Sequence, residues 1–266
     1  MIIEMKHPPV LDNICVVLVR PAGDGNLGQV ARAMKNFGLS KLRLINPCDF
    51  DTDLCRQMAT NSYDILERAQ IFTDLPSALA DFSFVVGTSR RLGKNRERFG
   101  TSAALPGWLL PKLTGEAQAA LLFGNEVSGL DNAELDMCQF LVEIETDPAH
   151  KSLNLAQAVL VFAYELFKAA AQVPAEIDKI HPAKHDKLER MFKQMRAMYL
   201  EIGFLAPENP EHIMRALRRM YGRAQISERE VSILRGILSD MDWYLNHVSK
   251  KGERDGYREV AGDGES

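Results

Sequence analysis

Five short apolar runs constrain this chain more than anything else in it: Ile14–Val19, Leu42–Ile45, Phe82–Gly87, Ala119–Phe123 and Phe140–Ile144. Each is four to six residues long, often β-branched, and bounded by Gly, Pro, Asp or Asn. Between them lie stretches of helical periodicity, as where Leu27, Val30, Ala31 and Met34 share one face. Strand and helix alternating in this way predicts an α/β domain built on a mostly parallel sheet. Because the strands are apolar almost throughout, both faces of that sheet should be covered.

The same reading divides the chain. A longer helix is expected from Ser152 to Ala171, with Ala156, Val159, Leu160, Ala163, Phe167 and Ala170 as its stripe. Residues 1–172 form the first domain. Residues 173–184 contain Pro174 and Pro182 without an apolar pattern and read as a linker. A small all-helical domain follows over 185–248. Its first helix spans 186–202. The second opens at Asn209-Pro210, a cap followed by proline at the first helical position. The third opens at Ser227, with Glu230 completing a capping box and Ile226 placed to staple Val231. Residues 249–266 are polar and Gly-rich and are expected to be disordered.

Composition excludes several classes. With 46% hydrophobic and 26% charged residues, the chain has the make-up of a soluble globular protein. Its first ten residues lack the apolar core of a signal peptide. No apolar run approaches the ~18 residues of a membrane span. Cys15, Cys48, Cys55 and Cys138 show no Cys-x-x-Cys spacing, so reduced thiols in a cytoplasm fit better than disulfides or a metal site. The net charge of −4 is unevenly spread: residues 1–174 hold 16 Lys/Arg against 20 Asp/Glu, and residues 179–235 hold 12 against 7. The second half is the candidate for contact with a polyanion.

Two segments break the pattern of plain connections. Leu122–Leu130 (LFGNEVSGL) carries two glycines and a carboxylate where a buried strand should hand over to a loop, and Ser152–Val159 (SLNLAQAV) packs a hydroxyl and an amide onto a helix start. Both look like walls of a binding site. Gly23-Asp24-Gly25-Asn26-Leu27-Gly28 also matches the G-x-G-x-x-G of dinucleotide folds. Against that rival, Arg20-Pro21-Ala22 separate the first glycine from its strand. Asn46-Pro47 also stands where a ribose-binding acid belongs.

Taken with those two segments, Asn26-Leu27-Gly28-Gln29-Val30-Ala31-Arg32 completes an ordered set of three motifs: Asn-x-Gly-x-x-x-Arg, FGxExxGL and SLNxxxAV. With this set, residues 12–170 resemble the SPOUT-class RNA 2′-O-methyltransferases. The second half, through Gly203–Pro210, Met214–Arg219 and Glu230–Leu238, is similar to the helical extension of the TrmJ subgroup. The loop before Asn26 departs from relatives that carry a proline there, and Asn125 stands where an arginine is common.

The resemblance implies a trefoil-knotted α/β domain, which periodicity alone cannot suggest because knots are so rare. It implies S-adenosylmethionine as methyl donor, tRNA as partner, a homodimer, and methylation of a pyrimidine ribose at tRNA position 32 in the anticodon loop. A related enzyme acting on ribosomal RNA and a non-catalytic RNA-binding module are the alternatives.

A ribose hydroxyl needs a cation and hydrogen-bonding groups to favour charge on its oxygen, rather than a metal or a covalent nucleophile. Helical spacing turns Arg32 away from the Leu27/Met34 stripe, which alone fits an ordinary solvated arginine, and the motif match makes it the leading catalytic candidate. Carried over by the motifs, Asn26, Glu126, Ser152 and Asn154 join it in the active site, and Asn26 is also expected to cap its helix. Cofactor contacts are implied at Thr88, Ser89, Arg90, Gly124, Ile144, Lys151, Ser152 and Leu153. RNA contacts are expected at Arg91, Lys94 and Arg96 in a loop with five bases against one acid, and at Arg215, Arg218 and Arg219 on one helix face.

Overall fold

In a computed structural model of the chain, residues 7–89, 100–150, 152–171 and 182–249 are described. Arg90, Arg91, Lys94, Arg96 and Lys151 lie outside them, as do residues 173–181 of the linker and 250–266 of the tail. By internal packing the chain divides into two compact units, 1–186 and 187–266.

The first unit is built on a seven-stranded sheet in the order β3-β2-β1-β6-β4-β7-β5, every neighbouring pair parallel. The strands are β1 (Ile14–Val19), β2 (Lys41–Ile45), β3 (Gln70–Phe72), β4 (Phe84–Thr88), β5 (Gly100–Thr101), β6 (Ala119–Phe123) and β7 (Phe140–Glu143). The helices of this unit are α1 (Asp24–Asn36), α2 (Asp53–Ala59), α3 (Tyr63–Glu67), α4 (Leu75–Leu79), α5 (Leu105–Leu109), α6 (Asn132–Asp136) and α7 (Leu155–Ala170).

The period of two in a strand explains why β1 is apolar from end to end. Ile14, Val16 and Leu18 enter one core cluster with α1 and α7, and Cys15, Val17 and Val19 enter a second with α4 and α6. All six are buried. Each fully buried aliphatic side chain contributes ~1.5–3 kcal/mol of transfer free energy, so this strand anchors both layers. Burial also pushes the Cys15 thiol up to about 12, keeping it un-ionised. All four cysteines are free thiols.

The expected stripe of α1 is observed: Leu27, Val30, Ala31 and Met34 are fully buried. That of α7 is corrected in one place. Leu160 is 40% exposed, and Phe162 and Leu166 fill the core instead. Glycine 28 serves helix packing. A Cβ there would stand 2.4 Å from the Cys55 carbonyl oxygen, so α1 and α2 meet backbone to backbone. The G-x-G-x-x-G spacing thus has a packing cause in its last glycine, with no need of a dinucleotide.

The second unit contains most of α8 (His185–Glu201), with α9 (Pro210–Ala224) and α10 (Glu228–Tyr244). Proline at the first position starts α9, although Asn209 makes no side-chain cap bond. At α10 the capping box is complete: Ser227 accepts from the Glu230 N–H, and Glu230 accepts in return. Met191, Met195, Met198, Leu205, Met214 and Val231 are the best-buried apolar residues described in this unit. No described helix in either unit is long and apolar enough to cross a membrane.

Candidate active site

The ends of β4, β6 and β7 open onto a cleft of ≈ 170 Å³, an order of magnitude more than a single buried water needs. Thr88 and Ser89 follow β4, Phe123 to Leu130 follow β6, Val142 to Ile144 end β7, and Ser152, Leu153 and Leu155 lead into α7. The carboxyl ends of parallel strands, where successive connections leave the sheet in opposite directions, are where such folds form ligand crevices. Six of the described residues expected at the cofactor, Thr88, Ser89, Gly124, Ile144, Ser152 and Leu153, line this cleft together with Glu126.

Its shape depends on the β6 loop doubling back on itself. A Cβ at Gly124 would lie 2.1 Å from the Gly129 carbonyl carbon and 2.2 Å from the Leu130 nitrogen, so only glycine permits the crossing. Gly129 takes the positive φ of 71° that turns the chain. Asn125 holds the turn: its Oδ1 accepts from the Val127 N–H at 2.9 Å, and its Nδ2 donates to the Arg20 carbonyl at 2.8 Å. An arginine could not accept those loop N–H groups. Arg20 in turn makes a bidentate ion pair with the buried Glu134 of α6.

The three motif segments are joined by a line of side-chain hydrogen bonds. Glu126 accepts from the backbone N–H groups of Ala22 at 3.0 Å and Gly23 at 3.2 Å, and from Asn26 Nδ2 at 2.9 Å. Asn26 Oδ1 accepts from Asn154 Nδ2 at 2.9 Å. Asn154 Oδ1 accepts from the Ala156 and Gln157 N–H groups at the start of α7, where Asn154 and Gln157 form a capping box. Burial works against ionisation of Glu126. The Ala22, Asn26 and Gly23 donors outweigh it and hold the carboxyl below its ordinary value.

Asn26 is therefore placed differently from expectation. The cap of α1 is Gly23, and Asn26 sits inside the first turn with its amide turned to Glu126 and Asn154. Thr88 also has a local task, its hydroxyl donating to the Leu122 carbonyl at 2.7 Å across to β6. Arg32 is exposed and makes no hydrogen bond or ion pair among the described residues. It does not line the cleft of its own chain. Sequence reasoning missed Glu143, a buried carboxylate at the end of β7 that lines the cleft, and Phe162, which closes its floor from α7. The signal for Glu143 was an acid set in the apolar run of β7, directly after three buried residues.

On the helical unit the expected basic stripe is less free than it looked. Arg218 is engaged within its own unit. It forms a bidentate pair with Glu189 and lies 4.6 Å over the Phe192 ring. Arg215 donates to the Glu211 carbonyl at 3.2 Å, while Arg219 makes no hydrogen bond or ion pair among the described residues. 

The geometry has close counterparts. Residues 13–164 match the SpoU rRNA Methylase family, and residues 186–254 match the C-terminal domain of tRNA methyltransferase TrmJ. The chain belongs to the SpoU methylase family, in its TrmJ branch. The tRNA (cytidine/uridine/adenosine-2′-O-)-methyltransferase TrmJ of Pseudomonas aeruginosa is 39% identical over 253 residues, covering 91% of this chain and 98% of that protein. The tRNA (cytidine/uridine-2′-O-)-methyltransferase TrmJ of Klebsiella pneumoniae is 39% identical over 248 residues, with 88% and 98% covered. A crystal structure of TrmJ from Z. mobilis ZM4 matches with a TM-score of 0.73 at 29% identity, over 86% of this chain and 98% of that one.

Proposed function

We propose that this protein transfers a methyl group from S-adenosylmethionine to the ribose 2′-hydroxyl of a pyrimidine at tRNA position 32, in the anticodon loop. It does so as a cytoplasmic homodimer. The observation that carries the proposal is the Glu126–Asn26–Asn154 line, which ties the three motif segments together beside a cleft that the second and third of them line. Family membership and the TrmJ relatives support the reaction and the tRNA substrate.

The cleft suits the cofactor. Leu130, Ile144, Leu153 and Ala158 offer apolar walls to an adenine, and the backbone of the Gly124 and Ser89 loops offers polar groups at its edge. The charged side chains among the described lining residues are Glu126 and Glu143, both acidic, which favours a cationic ligand. S-adenosylmethionine, when bound, supplies an electrophilic methyl on a cationic sulfur. The chain's own residues do the rest. Ser152 and Asn154 stand at the start of α7, beside the cleft, where they orient the ribose. Arg32 stabilises the negative charge that builds on the hydroxyl oxygen. Arg32 has no place in its own cleft, so it acts at the partner subunit's cleft, which makes the dimer part of the active site. The trefoil threading implied by the sequence belongs with this reading, supported by the tight crossing at Gly124. The helical domain over 185–248 adds tRNA affinity through Arg215 and Arg219, and residues 90–98 contribute Arg91, Lys94 and Arg96.

Mass-spectrometric mapping of tRNA incubated with the protein and S-adenosylmethionine tests this. A 2′-O-methyl pyrimidine at position 32 is expected. Methylation of a base, or of ribosomal RNA with tRNA untouched, would overturn it.

A further inference from the structure

Among the described residues of its unit, nothing covers the outer face of α10. Ile233 is 54% exposed, Ile237 52% and Tyr244 57%, while Val231 and Leu238 of the same helix are buried. A helix with two apolar faces, one of them uncovered, is built to meet a second surface. Next to Ile233 on that face stands Gly236, in mid-helix, with nothing within 4 Å of where its Cβ would be. Glycine weakens a helix interior, and no packing among the described residues calls for it here. A close approach by another helix would.

The charges on this face indicate the occupant. At about 100° per residue, Arg229, Ile233, Gly236 and Asp240 fall within about 60° of one another, in a row spaced four, three and four. Arg229 and Asp240 are exposed and make no ion pair among the described residues. The row is complementary to itself when reversed. An antiparallel two-fold between residues 234 and 235 sets Arg229 opposite the partner's Asp240 and Ile233 over the partner's Gly236, and each pairing occurs twice. Residues 236–247 carry Asp240 and Asp242 and no Lys or Arg, which repels a phosphate backbone. We propose that α10 pairs antiparallel with α10 of a second copy of this chain. One helix crossing is smaller than a free-standing interface. The pairing therefore operates between copies already held together, at high effective concentration, and in that respect rests on the homodimer proposed above.

The test is a zero-length carbodiimide cross-link in full-length Arg229→Lys, mixed from isotope-labelled and unlabelled protein. Eleven residues of helix separate positions 229 and 240 by ~16 Å. A link between the new lysine and Asp240 therefore cannot form within one helix. Mixed-isotope linked peptides are expected, and their loss when Gly236→Leu is added to fill the partner's seat. Sedimentation of the same sample separates two failures. A dimer without the link overturns the α10 pairing alone. A monomer overturns the homodimer reading, and the pairing with it.

Discussion

The cleft of the α/β unit and the arginine-bearing face of the helical unit treat charge in opposite ways. Around the cleft, the charged group that matters to loop shape, Glu126, is held by neutral donors, while the cation of the first motif, Arg32, is left bare. On the helical unit, Arg218 and Arg196 are matched to Glu189 and Glu211. The difference teaches where a charge is left unpaired and where it is consumed by the fold. An arginine in a motif is informative when nothing in its own chain needs it.

The sharpest way to break that contrast is Arg32→Ala. Methyl transfer should fall by ~10²–10³ with cofactor affinity and melting temperature unchanged, the loss typical of one preorganised charge-stabilising group. Lysine should rescue poorly, lacking the planar fork. Single-turnover rates decide it, and a normal rate would remove Arg32 from the chemistry. Gly124→Ala should come next, with overpacking against the Gly129 and Leu130 backbone costing ~1–3 kcal/mol or more of stability, read by denaturant melts. A neutral outcome would mean that the loop crossing can relax.

Smaller effects sharpen the comparison. Because the folded Glu126 carboxyl sits below its ordinary value, its stabilising effect is complete above about pH 4.3. It is lost as pH falls through the lower, folded value. Hydrogen-exchange protection at Ala22 and Gly23, corrected for intrinsic rates, should decline over that window. In Glu126→Gln the decline should vanish, with protection reduced at every pH. Finally, Arg218→Ala should destabilise the helical unit by about 1 kcal/mol through its lost pair and ring contact. Arg219→Ala should leave stability within about 0.5 kcal/mol and lower the salt dependence of tRNA binding by about one unit of slope. Equal effects on tRNA binding would erase the distinction between the two arginines.

Much of the fold was legible because its signals are local. β1, with both faces buried, and the Leu27–Met34 face of α1 announce themselves by period. The edge strands β3 and β5 do not. Ile71 is 61% exposed and β5 is two residues long, so neither carries an apolar run. The site was legible by residue type and not by arrangement. Asn26 meets Glu126 across 100 residues and Asn154 across 128, separations that no helical or strand period reaches. The same limit made Arg218 look free, since Glu189 lies 29 residues earlier on another helix.

Those amide contacts have a consequence for how the chain reaches its native state. From the α7 N–H groups through Asn154 and Asn26 to Glu126, every hydrogen bond donates in the same sense. Turning either amide over would bring donor against donor and acceptor against acceptor, so the line is either complete or broken in two places. Three segments remote in sequence must arrive together for it to close. Misplacing any one of them leaves polar groups of the line unpaired, so closure couples the packing of all three segments.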